Sequence, residues 1–280
     1  MKQRIITALI LAPLVVWGIF SLPLLWFLGL ISAITMIGVW EWAQFTKTPS
    51  RLVAMLPTTA ALVASLALVP FDVASLNTIA PTHIAILGIG FGWWLVASGL
   101  AMTYPKSSVL WERSNFLRHT FGILTLIPFL WSIVILRGQH YHLDPYYGSK
   151  LVLFVCLIVW AADSGAYFAG KSLGKRKMAP NVSPNKTIEG LLGGIAAALI
   201  VAWGSSAIFD IQFTSFTSMA IITLATVVIS VLGDLVESMF KRVSKIKDSS
   251  NIIPGHGGVL DRVDSLTAAF PVFALLYLVF

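Results

Sequence analysis

Residues 217–237 read TSMAIITLATVVISVLGDLVE, and no charged side chain occurs in this stretch before Asp234. About 20 mostly apolar residues are enough for an α-helix to cross the hydrocarbon core of a bilayer. Within the hydrocarbon, a helix is stable because it satisfies its own backbone hydrogen bonds. The stretch therefore predicts a membrane-spanning helix that carries a carboxylate near one end.

The composition of the whole chain agrees with this prediction. Of 280 residues, 57% are hydrophobic and 11% are charged, and the mean hydropathy is +0.86. A soluble domain usually carries about a quarter of its residues as charges. Soluble, collagen-like and disordered classes are therefore excluded, and the single cysteine, Cys156, excludes a disulfide-rich class and is expected to be a small buried hydrophobe. We expect an all-α, polytopic integral membrane protein.

Nine apolar stretches are candidate spans. They are residues 5–21, 23–40, 52–70, 83–103, 119–136, 150–170, 187–209, 217–237 and 264–280. No small-residue cleavage site separates the first stretch from the second, so it is interpreted as an uncleaved span rather than a signal peptide. The sequence thus predicts about nine transmembrane helices.

The connections between these spans alternate between basic and nearly uncharged. With the N-terminus, including Lys2 and Arg4, placed in the cytoplasm, only Arg137 and Lys150 of the 19 Lys and Arg residues fall outside. The positive-inside rule therefore predicts a cytoplasmic N-terminus and an external C-terminus. The formal charge of +7 is interpreted as contact with an anionic membrane surface, with no nucleic-acid partner.

The two halves of the chain differ in polarity. Residues 1–150, about five spans, have few polar groups within the spans and are predicted to be a scaffold. Residues 151–280, about four spans with their cytoplasmic loops, hold most of the polar residues that are unusual in a membrane. We expect this second region to be catalytic.

Asp163 lies within a predicted span, in the segment WAADSGAY at residues 160–167. An ionised carboxylate inside the membrane costs several kcal/mol, roughly, unless it is paired or solvated. Asp163 is therefore expected to be a metal ligand or substrate contact at the floor of a polar cavity. A structural ion pair between helices is the alternative.

The segment Ser183–Gly190 reads SPNKTIEG and follows a basic run. Ser183 is expected to cap a helix that begins at Pro184, and a helix N-terminus beside lysines and the Thr187 hydroxyl would favour an anion. The basic run alone also fits an ordinary cytoplasmic loop. Glu189 enters the membrane and needs a partner.

Asp234, Glu237, Ser238 and Lys241 stand at i, i+3, i+4 and i+7, so they share one face of a helix. Two carboxylates, a hydroxyl and an ammonium on one face could hold a divalent ion and a phosphate. The alternative is a solvated helix end, which explains Lys241 better than Asp234.

The stretch KIKDSSNIIPGHGGVLDRVDS, residues 245–265, joins the last two spans. Glycines around His256 let backbone N–H groups approach an anion, and Arg262 adds positive charge. Asp261 and Asp264 supply hard oxygen ligands of the kind that Mg²⁺ prefers. The stretch is neither a Walker A loop nor a dinucleotide fingerprint.

From Ser238 to Asp264 the chain follows the pattern Ser-x-Phe-Lys-Arg, then Lys247-Asp248, then Pro-x-His-Gly-Gly-x-x-Asp-Arg-x-Asp. This pattern resembles the signature of phosphatidate cytidylyltransferases, the CDP-diacylglycerol synthases. Glu41-Trp42, the segment after Asp163 and the Ser-Pro-x-Lys-Thr motif are also similar to that family. The resemblance covers the whole chain, is most specific over 160–265, and is closest to bacterial members.

The resemblance implies the reaction of CTP with phosphatidate to give CDP-diacylglycerol and pyrophosphate. It also implies Mg²⁺, with a second metal ion as an open alternative, a homodimer among membrane lipids, and a site that faces the cytoplasm from the bacterial inner membrane. The implied metal ligands are Asp234 and Asp261, with Glu237, Asp264 and Asp248 as further candidates. The implied catalytic residues are Asp234, Asp261, Lys241, Asp163 and Lys186. The residues implied to bind CTP, pyrophosphate or the lipid phosphate are Arg242, Lys247, His256, Gly257, Gly258, Arg262, Ser183 and Thr187.

Other functions stay open at this level. A CTP-dependent polyprenol kinase would move the γ-phosphate to a hydroxyl and would need a general base, which the sequence does not offer in an obvious place. An ion-coupled transporter would also keep intramembrane acids, but it would often show internal repeats, and none is evident. The Asp-Gly-x-x-Ala-Arg pattern of CDP-alcohol phosphotransferases is missing. His140 and His142 form a His-x-His pair on an outer loop, where an ordinary loop is the favoured reading.

Overall fold

The computed structural model describes residues 2–280 and, within them, all side chains except those of residues 2–6, 8, 73 and 77. Over that range the chain forms ten α-helices, two short 3-10 helices and one antiparallel pair of strands. The helices are α1 (Lys2–Ser21), α2 (Leu24–Trp42), α3 (Arg51–Leu68), α4 (Val73–Thr78), α5 (Pro81–Met102), α6 (Asn115–Gly138), α7 (Tyr147–Leu173), α8 (Ile188–Phe209), α9 (Phe216–Ser244) and α10 (Leu260–Val279). The 3-10 helices are Ala43–Phe45 and Lys106–Leu110, and the strands are β1 (Lys177–Ala179) and β2 (Ser183–Thr187).

Eight helices of the described chain are long and apolar enough to cross a membrane, namely α2, α3 and α5 to α10. They coincide with the predicted spans from 23–40 to 264–280. The remaining predicted span, 5–21, falls in α1, whose described apolar part is the shorter stretch Leu9–Ser21. The side chains of Lys2 and Arg4 lie outside the described residues. The all-α, polytopic architecture is confirmed, and the span count agrees to within one.

Helix α6 lies at the centre of the bundle. In its most apolar segment 78% of the residues are buried, against 17% in α3 at the periphery. Near one end of the bundle, the ring centroid of Trp42 lies 5.3 Å from that of Phe45 and 4.9 Å from that of Phe240. This aromatic cluster fixes the end of α2 against α9.

Small residues bring α7 and α8 close together. A Cβ atom on Gly165 would lie 2.7 Å from both the Ala197 Cβ and the Gly193 carbonyl oxygen, so a larger residue would force the helices apart. Close backbone approach at small residues is a common basis of helix association in membranes, where apolar side chains gain little from burial. The approach places Asp163 of α7 near the start of α8.

The connections between helices lie on two opposite sides of the bundle, and connections on the same side contact one another. On one side, Arg118 at the start of α6 donates to the Phe45 carbonyl, and Arg242 at the end of α9 donates to the Val182 carbonyl. Thr7, near the start of α1, donates to the Pro254 carbonyl in the connection before α10. This side carries the basic connections, so the predicted grouping of the loops is confirmed, while their placement in the cytoplasm stays a prediction.

The opposite side contains the two basic residues that depart from the charge pattern, and both have partners. The Arg137 guanidinium is buried and donates to the Ile19 and Leu22 carbonyl oxygens, at 3.1 and 3.2 Å. Lys150 forms a 2.8 Å salt bridge with Asp144, and this contact holds the pKa of Asp144 below its usual value. Arg137 and Lys150 therefore lie on this side because each stabilises the local structure through these contacts.

The expected helix start at Ser183 is wrong. Ser183 and Pro184 lie in β2, which pairs with β1 through the partners Ala179 and Ser183 and the partners Lys177 and Thr187. The helix begins at Ile188, and the Thr187 hydroxyl caps it by accepting the Gly190 N–H at 3.1 Å. Proline is tolerated in a two-stranded hairpin because its missing N–H can face away from the partner strand.

Candidate active site

A cavity of about 490 Å³ lies between β2 and helices α7 to α10, and we call it the carboxylate cavity. Its charged lining consists of Asp163, Asp234, Asp248, Asp261, Asp264, Lys186, Lys241 and Arg262. Five carboxylates thus face three basic side chains. Tyr167, Met178 and Leu191 add an apolar part to the wall.

Strand β2 carries Lys186 to the carboxylate of Asp234. The Lys186 Nζ lies 2.6 Å from Asp234 Oδ2 and also donates to the Val231 carbonyl at 3.0 Å. The other oxygen of Asp234 accepts the Ser238 hydroxyl at 3.3 Å, as expected for residues at i and i+4 of a helix. Both side chains of this salt bridge stay partly exposed, at 22% and 31%, so Asp234 can still reach a ligand in the cavity.

Lys241 joins two other carboxylates. Its Nζ lies 2.5 Å from Glu237 Oε2 and 2.8 Å from Asp261 Oδ1. Glu237 is buried behind Lys241 and is not part of the cavity wall, and its Oε1 has no hydrogen-bond partner among the described residues. The predicted shared face of α9 is therefore confirmed as geometry, with Asp234 towards the cavity and Glu237 behind it.

Asp261 accepts several hydrogen bonds that the sequence did not predict. Its Oδ2 accepts the backbone N–H of Ser249 at 2.7 Å, the Ser249 hydroxyl at 2.8 Å and the Gly258 N–H at 2.8 Å. Oδ2 is therefore fully used. Only Oδ1, which accepts from Lys241, can also bind a cation. Ser249 was missed by the sequence analysis, because a serine in a polar loop carries no signal of its own.

Two other carboxylates keep oxygen atoms free. Asp163 has no hydrogen bond or salt bridge with any residue whose side chain the structure describes, although Lys186 and Arg262 are among its charged neighbours. Asp264 uses one oxygen to accept the Ser265 N–H at 2.8 Å. The unused oxygens are available to a ligand in the carboxylate cavity.

A second cavity of about 570 Å³ adjoins the first along the connection between α9 and α10, and we call it the loop cavity. Its lining residues are Lys247, Asp248, Asn251, Ile253, Gly255, His256, Gly257 and Arg262. Gly255 and Gly257 have φ angles of 76° and 82°, a left-handed conformation that favours glycine. The basic side chains of Lys247 and Arg262 face one carboxylate, Asp248, so this cavity suits an anion.

Three predicted binding residues lie outside both cavity walls. Arg242 donates to the Val182 carbonyl and so holds the hairpin, Ser183 belongs to β2, and the Gly258 N–H is taken by Asp261. Thr187, in contrast, lines the carboxylate cavity while it caps α8. The partner that Glu189 requires is Arg176, at 2.8 Å.

The donor set of the carboxylate cavity fits Mg²⁺ in its chemistry. Magnesium is usually bound through one or two carboxylates, with phosphate oxygens and water completing six positions. Within the part of the chain that the structure describes, no three His, Cys, Asp or Glu side chains converge on a complete metal site. Asp163 and Asp264 keep oxygens free and Asp234 is partly exposed to the cavity, so one or two of these carboxylates could hold an ion together with a bound phosphate.

Comparison with known proteins agrees with the resemblance found in the sequence. The model of the cytidylyltransferase family matches residues 2–280. A phosphatidate cytidylyltransferase of Haemophilus influenzae is 42% identical over 99% of this chain and 98% of its own length. The proteins of that name from Pseudomonas aeruginosa and Bacillus subtilis are 42% and 35% identical, over 99% and 100% of this chain and 96% and 98% of their own.

The resemblance rested chiefly on residues 160–265, and these are the residues that build both cavities. The relatives match nearly the whole chain at these identities. The similarity therefore also covers the helices that hold the cavities in place. The chain therefore belongs to the cytidylyltransferase family.

Proposed function

We propose that this protein transfers the cytidylyl group of CTP to phosphatidate, giving CDP-diacylglycerol and pyrophosphate for phospholipid synthesis. The observation that carries the proposal is a carboxylate-lined cavity at the end of membrane-spanning helices, directly beside a cationic cavity built by a glycine-containing loop. The relatives named phosphatidate cytidylyltransferase support the choice of both substrates.

The reaction joins two anions. An oxygen of the phosphatidate phosphate forms a bond to the α-phosphorus of CTP, while the bond from that phosphorus to the bridging oxygen of the β-phosphate breaks. A phosphate monoester is already a nucleophile at neutral pH, so the site has to position the groups and neutralise charge. No covalent enzyme intermediate and no new general base are required.

The chain's own residues divide this work. Lys186 and Lys241 place their ammonium groups at the wall of the carboxylate cavity, where they would donate to phosphate oxygens as well as to their carboxylate partners. Arg262, which lines both cavities, would hold the phosphate chain where it passes between them. Lys247 and His256 would receive the pyrophosphate end in the loop cavity.

A divalent cation belongs to this proposal for an electrostatic reason. With its five carboxylates ionised, as metal ligands must be, the carboxylate cavity has only three basic side chains to balance them, and without a cation such a site would repel CTP and phosphatidate. Asp163, Asp234, Asp264 and Oδ1 of Asp261 are the carboxylates that would hold an ion, one or two of them at a time, and their number also allows a second ion. Bound Mg²⁺ would supply charge neutralisation of the phosphates.

The charge pattern supports a cytoplasmic orientation of the site. The basic connections and both cavities lie on one side of the bundle, which the positive-inside rule assigns to the cytoplasm. The bacterial inner membrane is part of the same proposal and is supported by bacterial relatives. Contact with membrane lipids and a homodimer are proposed from the resemblance alone. Phosphatidate would then enter from the inner leaflet past the apolar wall of the carboxylate cavity.

The decisive experiment uses purified full-length protein with CTP labelled on the α-phosphate or on the γ-phosphate. With phosphatidate and Mg²⁺, the α-label should enter the lipid fraction and the γ-label should appear in pyrophosphate. Removal of divalent ions with a chelator should abolish both. Transfer of the γ-label to a lipid would favour a CTP-dependent lipid kinase, and no lipid-borne α-label with any divalent ion would refute the proposal.

A further inference from the structure

Glu41 is the second-to-last residue of α2, in the first half of the chain, and its side chain is completely buried, with 0% exposure. Among the described side chains, no Lys, Arg or His forms a salt bridge with it, although a buried carboxylate normally requires compensation. Its compensation comes instead from hydrogen-bond donors of the connection between α9 and α10. That connection lies more than 200 positions further along the chain, since Glu41 and Ser249 are 208 positions apart.

Both oxygens of Glu41 are used. Oε1 accepts the Ser250 hydroxyl at 2.6 Å and the Val259 N–H at 2.8 Å, and Oε2 accepts the Leu260 N–H at 2.5 Å. The two backbone donors belong to the N-terminus of α10, where an anion is favoured by the unpaired N–H groups and the helix dipole. A single carboxylate therefore caps α10 and ties down the start of the connection.

The same contacts lead to Asp261. The Ser249 hydroxyl lies 3.2 Å from Glu41 Oε2 and 2.8 Å from Asp261 Oδ2, so its one proton is placed between two carboxylates. A Cβ atom on Gly258 would come within 2.5 Å of Glu41 Oε1, while the Gly258 N–H donates to Asp261. Glu41 and Asp261 thus hold the connection from opposite sides through Ser249 and Gly258.

We propose that Glu41 is a positioning residue for nucleotide binding. It sets the conformation of the connection 245–259 and so keeps Lys247 and His256 on the wall of the loop cavity and Asp261 on the wall of the carboxylate cavity. It acts through these residues and does not itself line either cavity. The proposal takes CTP as the ligand and in that respect rests on the proposed function.

A binding measurement that needs no turnover tests this role. Lys245 and Lys247 are exposed sites for trypsin in the connection, and bound CTP should slow their cleavage. In Glu41→Gln, the CTP concentration that gives half-maximal protection should rise about tenfold, because a loosened loop must be ordered on binding. The substitution also replaces one carboxylate oxygen by an NH₂ group. That group would face the N–H of Val259 or of Leu260, so two donors would oppose each other. Full-length protein in detergent with Mg²⁺ is the sample.

Two further variants complete the experiment. Ser250→Ala removes one donor to Glu41 and is expected to fold normally, with about a threefold rise in the same CTP concentration. Glu112→Gln is the matched control, since Glu112 lies in the first half, outside both cavities, and its only side-chain hydrogen bond in the described structure is to Ser108. It should behave as the unmodified protein does.

The outcomes separate this proposal from the proposed function. An unchanged protection curve in folded Glu41→Gln and in Ser250→Ala would overturn the positioning role, even if thermal stability fell. Failure of the proposed function would be visible elsewhere, as absence of lipid-borne α-label from the unmodified protein. In a turnover assay, the positioning role predicts that Glu41→Gln has a higher KM for CTP than the unmodified protein. Its KM for phosphatidate should stay within about twofold of the unmodified value. A general loss of stability would not separate the two substrates.

Discussion

The carboxylate cavity and the loop cavity adjoin, share the side chains of Asp248 and Arg262, and differ in the sign of their charge. They are similar in size, at about 490 and 570 Å³. The first is lined by acids that would bind a cation, and the second by Lys247, Arg262 and the polar ring of His256, which would bind an anion. A metal–nucleotide complex carries both kinds of charge, so the pair of cavities suits it better than either cavity alone.

The two cavities also differ in how their walls are built. The carboxylate cavity draws most of its acids from α7, α9 and α10, whose backbones are fixed by helix packing. The loop cavity draws nearly all its residues from one irregular connection, which is held by Glu41 and Asp261. Rigid helices suit the reacting centre, where small displacements are costly, whereas a loop needs anchors to reach the same precision.

Asp261→Asn should have the largest effect, because Asp261 lines the carboxylate cavity and also anchors the connection that forms the loop cavity. The substitution removes the charge that holds Lys241 and one oxygen available to a cation. We expect kcat to fall by roughly 10²–10³-fold, the range found when one oriented electrostatic group of an active site is removed. Lipid-borne label from α-labelled CTP is the measurement.

Asp210→Asn is a matched control for this change. Asp210 lies on the opposite side of the bundle and has a φ of 53°, a conformation that asparagine tolerates. Activity close to that of the unmodified protein is expected. Near-normal turnover in Asp261→Asn would remove Asp261 from the site, provided that gel filtration and thermal scans in detergent show both variants to be folded.

Asp234→Asn addresses the carboxylate cavity alone. Asp234 is partly exposed to the cavity and pairs with Lys186, so its loss should weaken cation binding without reaching the loop cavity. The Mg²⁺ concentration for half-maximal activity should rise by at least about 10–100-fold, the range found when a residue that only orients a metal ligand is replaced. The CTP protection of the loop should change little once Mg²⁺ is saturating. An unchanged Mg²⁺ dependence would assign the cation to other carboxylates of the cavity.

The sequence was sufficient to predict the spans, the grouping of the loops and most residues of both cavities. Apolar runs are decisive because a bilayer allows few alternatives to a helix, and the motif at 245–265 is continuous in the chain. The role of Glu41 could not be foreseen, because its donors lie more than 200 residues away and a pattern contains no information on such contacts. The strand at Ser183 was missed because a serine before a proline is also a typical helix start.

Lys247→Met tests the loop cavity and should have a smaller effect. Lys247 is exposed and has no salt bridge within the described structure, so its contribution is limited to one contact with a bound phosphate. The KM for CTP should rise by roughly tenfold, the equivalent of one hydrogen bond to a charged group. The Mg²⁺ dependence should stay as it is, which is the reverse of the result expected for Asp234→Asn. Equal shifts in both quantities for both variants would show that the two cavities do not act separately.

His142→Ala should have the smallest effect and tests whether the comparison of the two cavities covers the chemistry. The His-x-His pair lies in the connection between α6 and α7, on the side of the bundle opposite both cavities. Both histidines are exposed, and His140 stacks on Tyr147 with ring centroids 4.6 Å apart. An exposed side chain away from such contacts usually changes the free energy of unfolding by less than about 0.5 kcal/mol. Turnover and the KM values for both substrates should therefore stay within about twofold of those of the unmodified protein. A large loss of activity in folded His142→Ala would mean that the far side of the bundle takes part in the reaction, and that the difference between the two cavities explains only a part of it.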